Sequence, residues 1–427
     1  DSGAEAVAPV IADLEGPHAV EEYVRFALQQ NPKIQAARKR VEAAAYRVPI
    51  AASLQDPMLN VTVFPESVQT ASGEQEMIIS ASQKVPWMGK LDAKAAVAES
   101  QTDMARAALA ATELATVAQV KRAYYNLYFL QQSLAVTEEE QRLLGEFRDV
   151  ADTRYRAGTA SQQDVYRAEL EISSVESDLI RLRQQLSSTR ARLAAVLHVA
   201  PQTQLMAVDR LPAEEIPLDL ELLQRQAVAA RPELHAQLAA IGRDRKAAEL
   251  ARLDYKPDVT IGFSWIDVAS SGISPVANGR DALLLTAGVN LPIYQKRLNS
   301  AVRAAEANAV ATARDYDALR DGTLEDVTDL FAQARSQHEL LVLFREDILP
   351  KARLTLEVSA QAYNVGEVDF LQLIDNWRQL LRYEINHRRL EASLRQTLAD
   401  LEAVVGGVVV TGANLGDDQT QPEIFVE

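Results

Sequence analysis

Ala27-Leu28-Gln29-Gln30-Asn31-Pro32-Lys33-Ile34-Gln35-Ala36 is written again, 200 positions later, as Ala227-Val228-Ala229-Ala230-Arg231-Pro232-Glu233-Leu234-His235-Ala236. Pro57 returns as Pro257, Pro86 as Pro292, and Tyr155-Arg156-Ala157-Gly158 as Tyr363-Asn364-Val365-Gly366. The offset grows only twice, by six residues between Pro57 and Pro86 and by two in the helix that follows. Such a repeat is too long for a solenoid unit and predicts two copies of one architecture in a symmetric assembly. The first copy is assigned to residues 20–215, with a β-hairpin at 58–86 and a helical hairpin at 88–198. The second is assigned to 216–407, with its hairpins at 258–292 and 294–405, leaving an extended segment at 1–19 and a tail at 408–427.

Between Pro86 and Pro201 there is no proline, and only Gly89, Gly145 and Gly158 interrupt a run of strong helix formers. Read as one helix from Met88 to Ala157, the stretch would span about 100 Å at 1.5 Å per residue, too long for a compact domain. The second copy repeats the rod from Tyr294, with a kink expected at Pro350 because proline removes a ladder hydrogen bond. The return helix carries Val165, Ala168, Ile172, Val175, Leu179, Leu182, Leu186, Thr189, Leu193 and Val196, alternately three and four apart, which is a coiled-coil seam. Leu373, Asn376, Leu380, Tyr383, His387, Leu390, Leu394, Thr397, Leu401 and Val404 repeat it. Gly158 and Gly366 stand where each rod reverses, and glycine takes the left-handed conformation there without a steric penalty.

Period two occurs only between the short first helices and the rods. Val259, Ile261, Phe263 and Trp265 alternate with Thr260, Gly262 and Ser264, while Leu283, Leu285, Ala287, Val289 and Leu291 alternate with Leu284, Thr286, Gly288 and Asn290. The first copy offers Leu59, Val61 and Val63, then Met77, Ile79 and Ala81. Strands of roughly 9 to 11 residues are long enough to cross a bilayer. On that reading Val259, Ile261, Phe263, Trp265, Leu283, Leu285 and Val289 face lipid, and Gly262 and Thr286 on the other face should accept serine. A soluble sheet packed on helices gives the same alternation, but the rods leave no globular layer to cover it. Four strands cannot close a barrel, and an open edge in lipid costs several kcal/mol per unpaired group. Two, three or four copies would give barrels of 8, 12 or 16 strands.

Composition narrows the function. With 44 basic and 60 acidic side chains the net charge is −16, which repels nucleic acid and anionic membrane surfaces. No cysteine is present, which excludes disulfides and thiolate metal sites. No apolar run approaches a spanning helix, and Val404–Val410 is short and glycine-interrupted. The segment from Asp1 has no charged and apolar leader, so any signal peptide is expected to have been removed. Enzymatic motifs fail. His18, His198, His235, His338 and His387 lack ligand spacing, Gly89-Lys90 lacks the rest of a phosphate loop, and Gly262-Phe263-Ser264 lacks the last glycine of a nucleophile elbow. No catalytic, cofactor or metal site is expected.

The order of helices, strand hairpin and long helical hairpin, given twice, resembles the outer membrane factors, the TolC-like channel-tunnels of bacterial efflux and secretion. The resemblance covers about Val20 to Val405. It rests on Ala27–Pro32, on the strand exit Ser82-Gln83-Lys84-Val85-Pro86-Trp87-Met88-Gly89-Lys90, and on Tyr363-Asn364-Val365-Gly366-Glu367-Val368-Asp369-Phe370-Leu371-Gln372-Leu373-Ile374-Asp375. It implies a mostly helical fold with transmembrane β-strands: a homotrimer with a 12-stranded outer membrane barrel and a 12-helix periplasmic tunnel, its tail equatorial or disordered. The strand exit looks most like the heavy-metal (CusC/CzcC-like) branch, which works with a periplasmic adaptor and a resistance-nodulation-division pump. A type I protein-secretion tunnel shares the fold, and a soluble coiled-coil scaffold would explain the rods but not the strands.

The resemblance also implies a periplasmic gate. Asp375 falls on one acidic gate position, the other is Gln372, and Asp164 is its equivalent in the first hairpin, with Asp369 nearby. Tyr363 matches a tyrosine that ties hairpins together, yet the basic partner expected two residues after the glycine is Val368. The tips Gly158, Thr159, Ala160 and Gly366, Glu367, Val368 are where adaptor contact is implied. Without the resemblance, Asp375 reads as a solvated helix residue and the tips as simple chain reversals.

Overall fold

A computed structural model describes residues 14, 16–212, 216–217, 219–270, 272–273, 276 and 278–408. Most of the proposed 1–19 segment and all but Val408 of the 408–427 tail lie outside the described residues. The elements run β1 (Gly16–His18), α1 (Val20–Gln30), α2 (Pro32–Ala52), β2 (Met58–Thr70), β3 (Gly73–Val85), α3 (Lys90–Arg156) and α4 (Gln162–Leu197). Then follow β4 (Leu205–Ala207), α5 (Leu220–Ala230), α6 (Pro232–Leu253), β5 (Val259–Val268) and β6 (Ala282–Val289). The last are α7 (Gln295–Leu343), α8 (Leu349–Val365) and α9 (Phe370–Val405).

The repeated proline motif marks a helix break. Asn31 is extended, as a residue before proline prefers, and its side-chain oxygen accepts from the Lys33 backbone N–H at 2.8 Å. Pro32 then opens α2, where a missing N–H costs nothing. Downstream, α3 is unbroken for 67 residues. The reversals at Gly158 (φ +74°) and Gly366 (φ +84°) are left-handed, as expected. Seam residues of α4 and α9 are buried or half-buried throughout, including half-buried His387.

The expected kink takes a specific form. Before Pro350 the second rod widens into one π-helical turn, Phe344–Ile348, in which the Leu349 N–H donates to the Phe344 carbonyl five residues back. Pro350 cannot donate and its ring crowds the carbonyl of residue 346, so the strain falls on the preceding turn and Pro350 sits in the first turn of α8.

The chain divides into two compact units. One comprises Asp1–Ala36, Ala110–Pro232 and Arg320–Glu427, and its described residues hold the helical cores. β1 and β4 pair in parallel there, a short ribbon with no periodic signal in the sequence. The other comprises Ala37–Leu109 and Glu233–Leu319 and contains a four-stranded antiparallel sheet in the order β2-β3-β5-β6. Residues directly opposite share a face, which gives apolar rows Leu59–Ala81–Phe263–Leu285 and Val61–Ile79–Trp265–Leu283. The other face carries Asn60–Ser80–Ser264–Leu284 and Met58–Ser82–Gly262–Thr286. Strands β2 and β3 have 13 residues each, longer than expected, because their turn-side ends add mainly polar residues such as Glu66, Gln69, Glu74 and Glu76. Among the described residues no helix is long and apolar enough to cross a membrane.

Candidate functional site

The ends of the two helical hairpins bring most of the proposed gate residues together. Asp369 is the N-cap of α9, its Oδ1 accepting from the Gln372 backbone N–H at 2.8 Å. Ser161 does the same for α4, with its Oγ accepting from Gln163 N–H at 3.1 Å. Side chains just beyond the caps then point where the helical period sends them. Leu373, Ile374 and Trp377 go into the core, while Gln372 and Asp375 remain exposed.

Tyr363 is buried and ties the hairpins. Its hydroxyl donates to Asp164 Oδ2 at 3.4 Å, and its ring packs on Phe370 with centroids 5.3 Å apart. The basic partner absent at Val368 comes from the other hairpin: the Arg154 guanidinium lies 4.6 Å from the Tyr363 ring centroid and donates to the Tyr363 carbonyl. It also reaches the Thr159 carbonyl at 3.3 Å. Burial, and then the Asp164 carboxylate, push the Tyr363 phenol up to about 12, so it stays a donor at any working pH.

Asp375 is not a bare carboxylate. Arg378, one turn on, donates to Asp375 Oδ1 at 3.1 Å and forks onto Glu171 of α4, with Nε at 3.1 Å from Glu171 Oε2. Glu171 has only 14% of its side chain exposed. Two cross-hairpin ties thus flank the tips: Arg154–Tyr363–Asp164 and Glu171–Arg378–Asp375. The sequence alone points to Tyr363, Asp164 and Asp375 but not to Arg154, Glu171 or Arg378. The available signal was Arg378 three residues after Asp375, a spacing that places both on one helix face.

At the tips themselves Gly158, Thr159, Gly366 and Glu367 are exposed, and Ala160 and Val368 half-buried. A Cβ on Gly366 would stand 3.1 Å from Arg154 Nη2 as well as in a left-handed backbone. Gly366→Val should therefore disturb the tip and the Arg154 tie while leaving the sheet intact. Adaptor crosslinking should fall severalfold with oligomer yield unchanged; normal crosslinking would remove the case for a constrained tip.

Deeper in the same core, Glu140 is buried and its Oε2 has no hydrogen-bond partner among the described residues. Desolvation, and then the charge of Glu384, push its carboxyl up to about 7, with the Trp377 indole and Arg353 pulling the other way. A folded pKa above the unfolded value of 4.5 means that ionisation costs native stability as pH rises from 4.5 through 7. Glu140→Gln removes that cost. Its stabilisation over wild type should be about 2–3 kcal/mol larger near pH 8 than near pH 5, measured by denaturation in detergent; equal effects at both would place Glu140 in water.

In the sheet, Ile261, Phe263, Leu283, Leu285 and Val289 are exposed, and Val259 and Trp265 half-buried. No group of three His, Cys, Asp or Glu among the described residues could hold a metal ion.

Residues 24–197 and 223–407 match the family described as outer membrane efflux protein. The cobalt-zinc-cadmium resistance protein CzcC of Cupriavidus metallidurans is 22% identical over 418 residues, covering 95% of this chain and 94% of that protein. The fold is similar to the outer-membrane channel OprN (TM-score 0.78, 20% identity, covering 91% of this chain and 90% of that one). It is also similar to CusC (TM-score 0.77, 18% identity, covering 92% and 93%).

Proposed function

The chain belongs to the outer membrane efflux protein family, passive channels that span the outer membrane and reach into the periplasm, and from that premise we propose that three copies close one conduit. The observation that carries this is the open sheet. Among the described residues strands β2 and β6 each have a free edge, and exposed apolar rows cross all four strands. In lipid those edges must be paired, and three copies supply 12 strands. The helical hairpins would form the periplasmic tunnel, their tips would meet a periplasmic adaptor, and a resistance-nodulation-division pump would supply the cargo.

Heavy-metal cations or small toxic compounds are the cargo this reading favours. Its support is the end-to-end similarity to CzcC, a protein named for cobalt, zinc and cadmium resistance, together with exposed Gln372 and Asp375 near the tips. The tunnel needs no cofactor, since conduction is passive. Deleting the gene should sensitise cells to divalent cobalt, zinc and cadmium. Unchanged metal tolerance with loss of a secreted protein would instead favour a type I secretion tunnel.

A further inference from the structure

Where β3 leaves the sheet the chain reads Pro86-Trp87-Met88-Gly89-Lys90, and Lys90 is buried. Its Nζ donates to Asp258 Oδ1 at 2.8 Å and to the Lys256 carbonyl at 3.1 Å, with Asp254 at 3.6 Å. Asp258 also accepts from the Trp87 backbone N–H at 3.1 Å and lies 3.3 Å from Lys84 Nζ. Beside this latch α6 packs along α3, with Lys246 Nζ donating to the Ala96 carbonyl at 3.2 Å. The exit of one hairpin is thereby locked to the entry of the next.

The sequence repeats both sides of this seam, but in one chain the repeats lie at opposite edges of the sheet. The second exit is Pro292-Ile293-Tyr294-Gln295-Lys296, and Leu54-Gln55-Asp56-Pro57-Met58 matches the entry Asp254-Tyr255-Lys256-Pro257-Asp258 position for position. The charges have traded places. Both acids of the internal entry are apolar in the other copy, and its lysine has become Asp56. Lys296 and Asp56 are exposed, and neither has an ion-pair partner among the described residues. Lys296 borders an open recess of about 530 Å³ lined with Tyr294 and Arg297. An apolar ridge one turn apart, Tyr46 (64% exposed) and Ile50 (70%) on α2 with Leu54 (47%) just past its end, is left uncovered by the described residues.

We propose that the next copy of this chain completes the seam: Lys296 of one subunit pairs with Asp56 of its neighbour, and the neighbour's Tyr46–Ile50–Leu54 ridge covers the start of α7. This rests on the trimeric reading above and names the contact that closes it. β6 of one subunit then adds to β2 of the next, with odd-numbered residues of both strands on the apolar face. The internal seam sets a buried lysine between two acids, whereas each subunit boundary has a single lysine–aspartate pair. The three boundaries are therefore the places where the ring opens first.

The chain has no cysteine, so Lys296→Cys with Asp56→Cys introduces the only thiols. A short bifunctional maleimide should then yield covalent dimers and trimers, and neither single variant should. Charge reversal gives a second readout. K296E or D56K turns three attractions per trimer into repulsions and should raise the dissociation constant about 100-fold, while the double variant K296E/D56K should recover most of it. If the wild type has trimeric native mass, then no crosslink in the double-cysteine variant, indifferent single reversals, or a K296E/D56K variant as weak as the singles would overturn the pairing and leave the trimer standing. A wild type that is monomeric or dimeric would overturn both.

Discussion

Leu285→Arg should abolish accumulation of assembled protein in the outer membrane. Leu285 is 86% exposed and continues the row Leu59–Ala81–Phe263 on the apolar face. A charge on the outside of a barrel near mid-bilayer costs about 2–4 kcal/mol, and a trimer bears it three times. Ile261→Arg, on the same face, should behave alike. The control is Thr286→Ser on the other face, which should be tolerated. Gly262→Ser, tolerable on the sequence alone, is not an equivalent control, since a Cβ there would lie 2.4 Å from Thr286 Oγ1 and force that side chain to move. The readout is the heat-sensitive oligomer band in outer membrane fractions. Equal yields for Leu285→Arg and Thr286→Ser would show that the apolar rows do not face lipid.

Arg378→Gln should open the tip of the tunnel. It breaks the tie between hairpins and leaves Glu171, mostly buried, without its cation, which costs about 1–3 kcal/mol per chain. It also unmasks Asp375. In planar bilayers the variant should show raised resting conductance and stronger cation preference, most clearly at low salt, where charges are least screened. Asp375→Asn should shift selectivity the opposite way and by less, because Arg378 already balances that carboxylate. Asp369→Asn should leave selectivity almost unchanged, since Asn caps a helix about as well as Asp. Identical selectivity in all three variants would place these side chains away from the conducting path.

The fold was legible because its signals are periodic and repeated. The four strands alternate over their bilayer-length parts, and the seam from Val165 to Val196 needs only counting. Asn31-Pro32 and Arg231-Pro232 mark helix breaks by local stereochemistry alone. What escaped the sequence depends on distant contacts. Arg154 meets Tyr363, and Glu171 meets Arg378, only because two hairpins lie side by side, and no local spacing encodes that. Glu140 sits in the acidic run Glu138-Glu139-Glu140, and only packing against Trp377 and Glu384 distinguishes it from its exposed neighbours. The π-turn before Pro350 was foreseen as a break but not in kind, since proline dictates what the backbone cannot do and leaves several ways to comply.

The number of chains that close the sheet decides the account most directly, and native mass spectrometry of the detergent-extracted protein measures it. Three chains, giving 12 strands, is the predicted result. A mass of one, two or four chains would contradict it.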